Sequence, residues 1–211
     1  MMAFRKYLLS FLGLAVSLSL FQAIELSLIE GEGQSDPETA RQSIGGMTRR
    51  YDEIFRKYTR TYFGRMSWKW FKAQSIQESS LQPHAKSAAG AMGLMQLMPA
   101  TFQEIRKEVG LPNAPYDANA NIHAGIWYNL RCYNVWTENR SSRKILKLMF
   151  ASYNAGPGSV IRAQKVVRSG GICDGKRWDC IRRGLPQITG NQSKETIQYV
   201  ENVEHYYNLL R

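Results

Sequence analysis

Cysteine is scarce in this sequence: Cys132, Cys173 and Cys180 are the only three, and they lack the paired spacing of a zinc site. No internal repeat and no low-complexity tract occurs, which excludes a repeat array. Strand patterning is weak throughout, which excludes an all-β architecture. Acidic residues are outnumbered, 17 against 28 basic ones, for a formal net charge of +11. The apolar run from Tyr7 to Phe21, broken only by Ser and Gly, is shorter than the roughly 20 residues of a membrane-spanning helix.

The remaining composition is that of a globular chain. Apolar residues make up 44% and charged residues 21% of the 211, too apolar for a disordered polymer. That length accommodates one domain of ordinary size and a short leader. Five Trp, eleven Tyr and eight Phe can fill a core or line a groove for sugar rings. The positive charge favours an anionic partner, either nucleic acid or a cell-wall polymer bearing carboxylates or phosphates. The basic residues are dispersed (Arg49, Arg50, Arg56, Lys57, Arg140, Arg143, Lys144, Arg182, Arg183), with no nucleic-acid-binding fingerprint, so no nucleic-acid partner is expected. A basic surface that only keeps the chain soluble is the plainer reading.

Arg5 and Lys6 ahead of the Tyr7–Phe21 run read as an export signal. Ser17 and Ser19 suit cleavage after Ser19; Ala23 is a second option, poorly served by Phe21 at its −3 position. The alternatives are an uncleaved N-terminal anchor and a buried helix of the folded domain. No Cys lies nearby to carry a lipid. Residues 1–24 are thus assigned to a signal peptide or membrane anchor, 25–40 (ELSLIEGEGQSDPETA) to a linker, and 41–211 to the folded domain. Export leads to a compartment where disulfides persist. Cys173 and Cys180 flank a short Gly-containing segment and can close a small loop worth about 2–3 kcal/mol, leaving Cys132 buried on a helix.

Helical periodicity dominates the domain, which is expected to be mainly α. Met47, Tyr51, Ile54, Phe55, Tyr58 and Tyr62 recur every three to four residues. A second helix starts after Ser67 as N-cap, carries Trp68, Phe71 and Ile76, and stops before Pro83. A Gly/Ala/Ser loop runs from His84 to Gly93, with one short hairpin expected near Gly90–Gln96. Pro99 and Gly110 bracket the next helix. Asp117 caps another, with Ile122, Ile126, Leu130 and Tyr133 on one face. Ser141 or Ser142 caps a fifth, with Ile145, Leu148, Met149 and Ser152 on one face and Gly156 behind it. Lys194 to Leu210 forms the last, with Ile197, Val200, Val203 and Tyr207 inward.

Glu78 ends the second helix, just before the loop. A carboxyl group serves as an acid near neutral pH when burial against apolar surface disfavours its charged form. By itself, a Glu near a helix end is an ordinary surface residue.

Its neighbours change that. Gln77-Glu78-Ser79, then Ser87, then GAMGLMQLMPAT from Gly90 to Thr101, strongly resemble the soluble lytic transglycosylase family. Ser152-Tyr153-Asn154-Ala155-Gly156 resembles that family's Ala-Tyr-Asn-Ala-Gly motif, with Ser for the first Ala. Glu195, Thr196, Tyr199 and Val200 resemble its Glu-Thr-x-x-Tyr-Val element. All four occur in family order between Ser67 and Arg211. Trp178 to Pro186, with Tyr199 to Val203, looks most like the membrane-bound lytic murein transglycosylase F branch. Members of that branch carry an additional N-terminal solute-binding-type domain, for which this chain is too short.

The resemblance implies a lysozyme-like fold and a peptidoglycan lytic transglycosylase that needs no cofactor or metal. Glu78 is then the catalytic acid. Gly93, Leu94, Met95 and Gln96 form a wall of its cleft. Ser87, Gln96, Met98, Tyr153, Asn154, Glu195 and Tyr199 contact substrate, with Tyr199 beside the acid. Each has a plainer role as well. Gly90 and Gly93 suit a turn or a close backbone approach, and Gln96 can brace the loop. Of Met95 and Met98, one fills the core and the other the cleft, and the resemblance selects Met98 for the cleft. Asn154 is a capping choice before Gly156, and Glu195 suits the positive end of a helix.

Most glycosidases use two carboxyl groups, and the motifs contain no second carboxylate beside Glu78. Asp117 and Glu104 look like capping and helix-surface residues. The implied route has Glu78 protonate the oxygen between N-acetylmuramic acid and N-acetylglucosamine. The substrate N-acetyl group then supports the cation. Glu78 next takes the proton of the muramyl 6-hydroxyl as it attacks C1, leaving a 1,6-anhydromuramyl end. The alternatives are a muramidase-type hydrolase and an inactive wall-binding or assembly module. Expected partners are glycan strands, the membrane through the N-terminus and envelope-spanning machinery.

Overall fold

The structure is a computed structural model that describes residues 49–136 and 142–211. The export signal, the linker, Met47 and Ser141 lie outside the described residues. Nine α-helices and two short 3-10 turns occur among those residues, in two compact units: 49–131 with 199–211, and 132–198. The domain is mainly α, as the periodicity predicts.

In the first unit the chain enters through a 3-10 turn, Arg49–Tyr51, into α1, Asp52–Phe63. Tyr51, Phe55 and Tyr58 are buried along one stripe, with Arg56, Lys57 and Arg60 exposed on the other side. Helix α2, Lys69–Ser79, is different: every residue from Phe71 to Gln77 is buried. A helix buried all round must satisfy its polar side chains internally, and α2 carries Lys72, Gln74, Ser75 and Gln77. Lys72 Nζ pairs with Asp52 Oδ1 of α1 at 2.6 Å. Ser67 does not cap α2 with its side chain as expected; the cap position falls on Trp68, and the Ser67 carbonyl accepts the Trp70 N–H. The helix ends before Pro83, where Ser80 and Leu81 take left-handed backbone angles.

Helix α3, Pro99–Val109, has Pro at its first turn and Gly110 at φ +70 closing it. Asp117 caps α4, Ala118–Asn134, through its Oδ1 and the Ala120 N–H at 2.8 Å. Ile122 and Ile126 are fully buried, while Leu130 and Tyr133 are half-buried. His123 of α4 stacks on Tyr58 with ring centroids 4.0 Å apart, and its Nε2 lies 2.5 Å from the Tyr62 hydroxyl. Burial, assisted by the Lys57 charge, holds the His123 imidazole below its ordinary pKa. Burial, with Tyr58 second, raises the Tyr62 phenol. A neutral His123 and a protonated Tyr62 share this hydrogen bond.

The second unit holds the end of α4, then α5, Ser142–Ala155, and α6, Pro157–Ser169. Gly156, at φ +78, makes the turn between them. Leu148, Met149 and Ser152 of α5 are fully buried, and the Trp136 indole N–H donates to Ser152 Oγ at 3.3 Å. The serine that replaces the family alanine thus sits in packing. Helix α7, Trp178–Ile181, and a 3-10 turn, Arg182–Gly184, lead to α8, Leu185–Thr189. Cys173 and Cys180 form a disulfide with Cα atoms 6.1 Å apart. The loop it closes is also tied to α6, where Gln164 Nε2 donates to the Gly175 carbonyl at 2.8 Å. Cys132 is buried on α4, outside that bridge. The last helix, α9, spans Gln192–Leu209, its first seven residues in the second unit and the rest in the first. Val200 and Val203 are buried, whereas Ile197 and Tyr207 are half-buried. Tyr207 stacks on Trp70 of α2 at 3.6 Å.

The hairpin expected near Gly90–Gln96 is reduced to two isolated antiparallel bridges, Lys86 with Met92 and Met92 with Leu97. Positive φ at Gly90, Gly93 and Gln96 breaks the extended run that a strand needs. Among the described residues, no helix is long and apolar enough to cross a membrane.

Candidate active site

Glu78 lies in the last turn of α2, half-buried beside fully or largely buried neighbours. The Tyr199 hydroxyl of α9 donates to Glu78 Oε1 at 2.6 Å. Tyr199 is itself held: Gln74 Nε2, one turn back on α2, donates to its oxygen at 2.9 Å. Asn129 Nδ2 of α4 donates to Gln74 Oε1 at 2.7 Å. Gln74 and Asn129, both fully buried, are not singled out by any motif. Neither carries a signal in the sequence; the burial of Phe71 to Gln77 on all sides of α2 is what forces Gln74 to find a partner. Gln77 follows Gln74 on the same helix face, and its buried Oε1 has no hydrogen-bond partner among the described residues.

The loop after α2 is pinned from two directions. Ser75 and Ser79, one turn apart on α2, both donate to the Leu94 carbonyl at 2.9 Å. Asn121 of α4 accepts the Met95 N–H at 2.7 Å and donates to the Met92 and Pro115 carbonyls. Gly93 must be glycine on two grounds. Its φ is +75, and a Cβ there would meet the Asn121 side chain and come within 2.7 Å of the Pro115 carbonyl oxygen. Gly90 needs only its positive φ, since a Cβ would meet nothing. The Glu-Ser motif and the Gly-Leu-Met-Gln motif are thereby joined through Ser79.

The remaining sequence candidates fall in both units. In the first, Ser87 is buried and its Oγ accepts the Ala91 N–H at 3.0 Å. Gln96 uses its Nε2 to brace the Ala85 and Gly93 carbonyls, and its Oε1 is not committed in those bonds. Met95 is fully buried and Met98 half-exposed. In the second unit, Tyr153 is buried and Asn154 Oδ1 accepts from Thr196 Oγ1 at 2.8 Å, tying α5 to α9. Glu195 lies in the first turn of α9. The structure thus joins Tyr199 to Glu78 and Asn154 to the segment carrying Glu195. Among the described residues, no group of three or more His, Cys, Asp or Glu side chains could hold a metal ion.

Residues 55–173 match the transglycosylase SLT domain, more than half of the chain. The chain belongs to that family. This SLT chain is 30% identical over 155 residues to the membrane-bound lytic murein transglycosylase F of Desulfosudis oleivorans, covering 68% of this chain and 33% of that protein. It spans about a third of the length of the curated relatives it matches. An inactive glutamate-to-glutamine mutant of lytic transglycosylase Slt from Pseudomonas aeruginosa superposes with a TM-score of 0.64 at 27% identity, over 89% of this chain and 27% of that one. The 70 kDa soluble lytic transglycosylase of Escherichia coli gives a TM-score of 0.57 at 29% identity, over 76% and 24%. The SLT domain's fold is therefore that of the lysozyme-like lytic transglycosylases.

Proposed function

We propose that this SLT chain is a peptidoglycan lytic transglycosylase that cleaves the β-1,4 bond between N-acetylmuramic acid and N-acetylglucosamine, leaving 1,6-anhydromuramyl ends. The observation that carries the reading is the Glu78 carboxyl held by Tyr199, in one compact unit with the pinned Gly93–Gln96 segment. A single carboxyl suffices for this chemistry. Glu78 gives its proton to the leaving oxygen, and as a carboxylate it takes the proton of the muramyl 6-hydroxyl. That hydroxyl belongs to the same sugar, so its attack on C1 is intramolecular and gains from proximity. The relative from Pseudomonas aeruginosa, inactive as a glutamate-to-glutamine mutant, supports assigning the chemistry to one glutamate.

Ser87, Gln96, Met98, Tyr153, Asn154, Glu195 and Tyr199 are the proposed substrate contacts. The glycan strand is the proposed partner, and the net charge of +11 suits a wall polymer rich in carboxylates. We assign residues 1–24 to an export signal or N-terminal anchor and 25–40 to a linker, which puts the domain in the periplasm or cell envelope. Relatives named as membrane-bound support that location.

Mass spectrometry of muropeptides released from purified peptidoglycan tests the reading, with wild type and Glu78→Gln side by side. Wild type should release anhydro-ended products and Glu78→Gln none. Products with reducing ends instead would identify a hydrolase. Undiminished release by Glu78→Gln would remove Glu78 from the chemistry.

A further inference from the structure

We propose that Gln74 and Asn129 are positioning residues that fix which oxygen of Glu78 carries the transferable proton; this rests on the reading of Glu78 as acid and base. The hydrogen-bond chain begins at a backbone group that cannot reverse. The Gly125 carbonyl can only accept, and Asn129 Nδ2 donates to it at 3.0 Å. Asn129 must therefore present the same nitrogen to its other neighbour on that side, Gln74, which receives an N–H at Oε1. With Oε1 so used, Gln74 turns Nε2 to Tyr199. The Tyr199 oxygen accepts there, and its one proton is left to point at Glu78 Oε1. The direction of all four bonds follows from the first, independently of how the amides are drawn.

The arrangement has a visible cost. Asn129 Oδ1 is buried with no hydrogen-bond partner among the described residues. Turning both amides over would let that oxygen accept from Gln74, but it would set an oxygen against the Gly125 carbonyl and reverse the chain. The fold keeps an unsatisfied acceptor and retains the direction.

The chemical consequence lies at Glu78. Oε1 is occupied as an acceptor whether the carboxyl is neutral or ionised, so the acid proton resides on Oε2. In the first step the Oε2–H bond breaks and the proton passes to the glycosidic oxygen. In the second, Oε2 recovers a proton from the 6-hydroxyl. No proton crosses to Tyr199 or Gln74 in either step.

The test is a double-mutant cycle on the full chain, with Gln74→Met, Tyr199→Phe and the double variant assayed for anhydromuropeptide release. Gln74→Met preserves volume, and circular dichroism checks the fold. Its kcat should drop about tenfold, the worth of one charge-assisted hydrogen bond, with KM within about twofold. In the Tyr199→Phe background the same change should cost almost nothing, because the hydroxyl it orients is gone. Additive losses, or an unchanged kcat, would overturn the proposal and leave Gln74 as packing. If Gln74→Met does not fold, Asn129→Leu serves: a loss of kcat that vanishes in the Tyr199→Phe background supports the chain, and an additive one overturns it. Active wild type with inactive Glu78→Gln and an indifferent Gln74→Met fails only this inference. Wild type that releases nothing fails both it and the functional reading.

Discussion

Tyr199 reaches Glu78 across 121 residues of sequence, and its hydroxyl donates to the carboxyl at 2.6 Å. The bond joins the last helix to the end of the second and gives the half-buried carboxyl a fixed orientation. Tyr199→Phe removes one hydrogen bond and almost no volume. Turnover should fall about tenfold, the equivalent of roughly 1.4 kcal/mol in the barrier. Initial rates of muropeptide release check it, and a rate equal to wild type would mean that the contact does not serve catalysis.

The segment joining the Glu-Ser and Gly-Leu-Met-Gln motifs should tolerate little change at Gly93. Gly93→Ala places a Cβ against Asn121 and the Pro115 carbonyl at a positive φ. A loss of roughly 3 kcal/mol is expected from strain and displaced hydrogen bonds. Gly90→Ala has the φ problem without the clash and should lose only about 1 kcal/mol. Urea denaturation of the two variants gives the comparison, and equal losses would contradict the crowding at Gly93.

The Cys173–Cys180 bridge closes a loop with a sequence separation of seven. For so short a loop the chain-entropy model gives about 2–3 kcal/mol. Thermal unfolding with and without a reductant should show a lower Tm in the reduced protein. Cys132→Ala, lying outside the bridge, should leave that difference intact.

Stability should also fall on mild acidification. The His123 imidazole has a folded pKa below its ordinary value of 6.5, through burial and the Lys57 charge, with Tyr58 and Tyr62 packed against it. As pH falls through about 6.5 the unfolded chain takes up a proton that the folded chain still refuses. The stabilisation is complete above that value and is lost progressively down to the folded pKa. Melting curves from pH 7.5 to 5 should show the decline, shallower in His123→Gln. An identical slope in the variant would remove His123 as the cause.

The helices were readable because their signals are local. The Tyr51–Phe55–Tyr58 spacing, Pro99 and Gly110 at the two ends of one helix, and Asp117 as a cap each act within a turn or two of themselves. Ser67 misled for the same reason: a serine beside a helix start has the right chemistry, yet the backbone at Trp68 already turns helical. The hairpin near Gly90 shrinks to two bridges because three positive φ angles break the extension.

Sequence alone determined the mainly helical class and the four motifs that place the chain beside lytic transglycosylases, Glu78 among them; it offered the short cysteine loop as one pairing, and the structure closes it. Tertiary structure decided what holds Glu78. Gln74 and Asn129 have no local signal, since a buried amide acquires meaning only from the groups that distant segments bring to it. The Gly125 carbonyl is local to Asn129, one turn back on α4, but Gln74 meets Asn129 of α4 and Tyr199 of α9 only through packing around the buried Phe71–Gln77 stretch of α2.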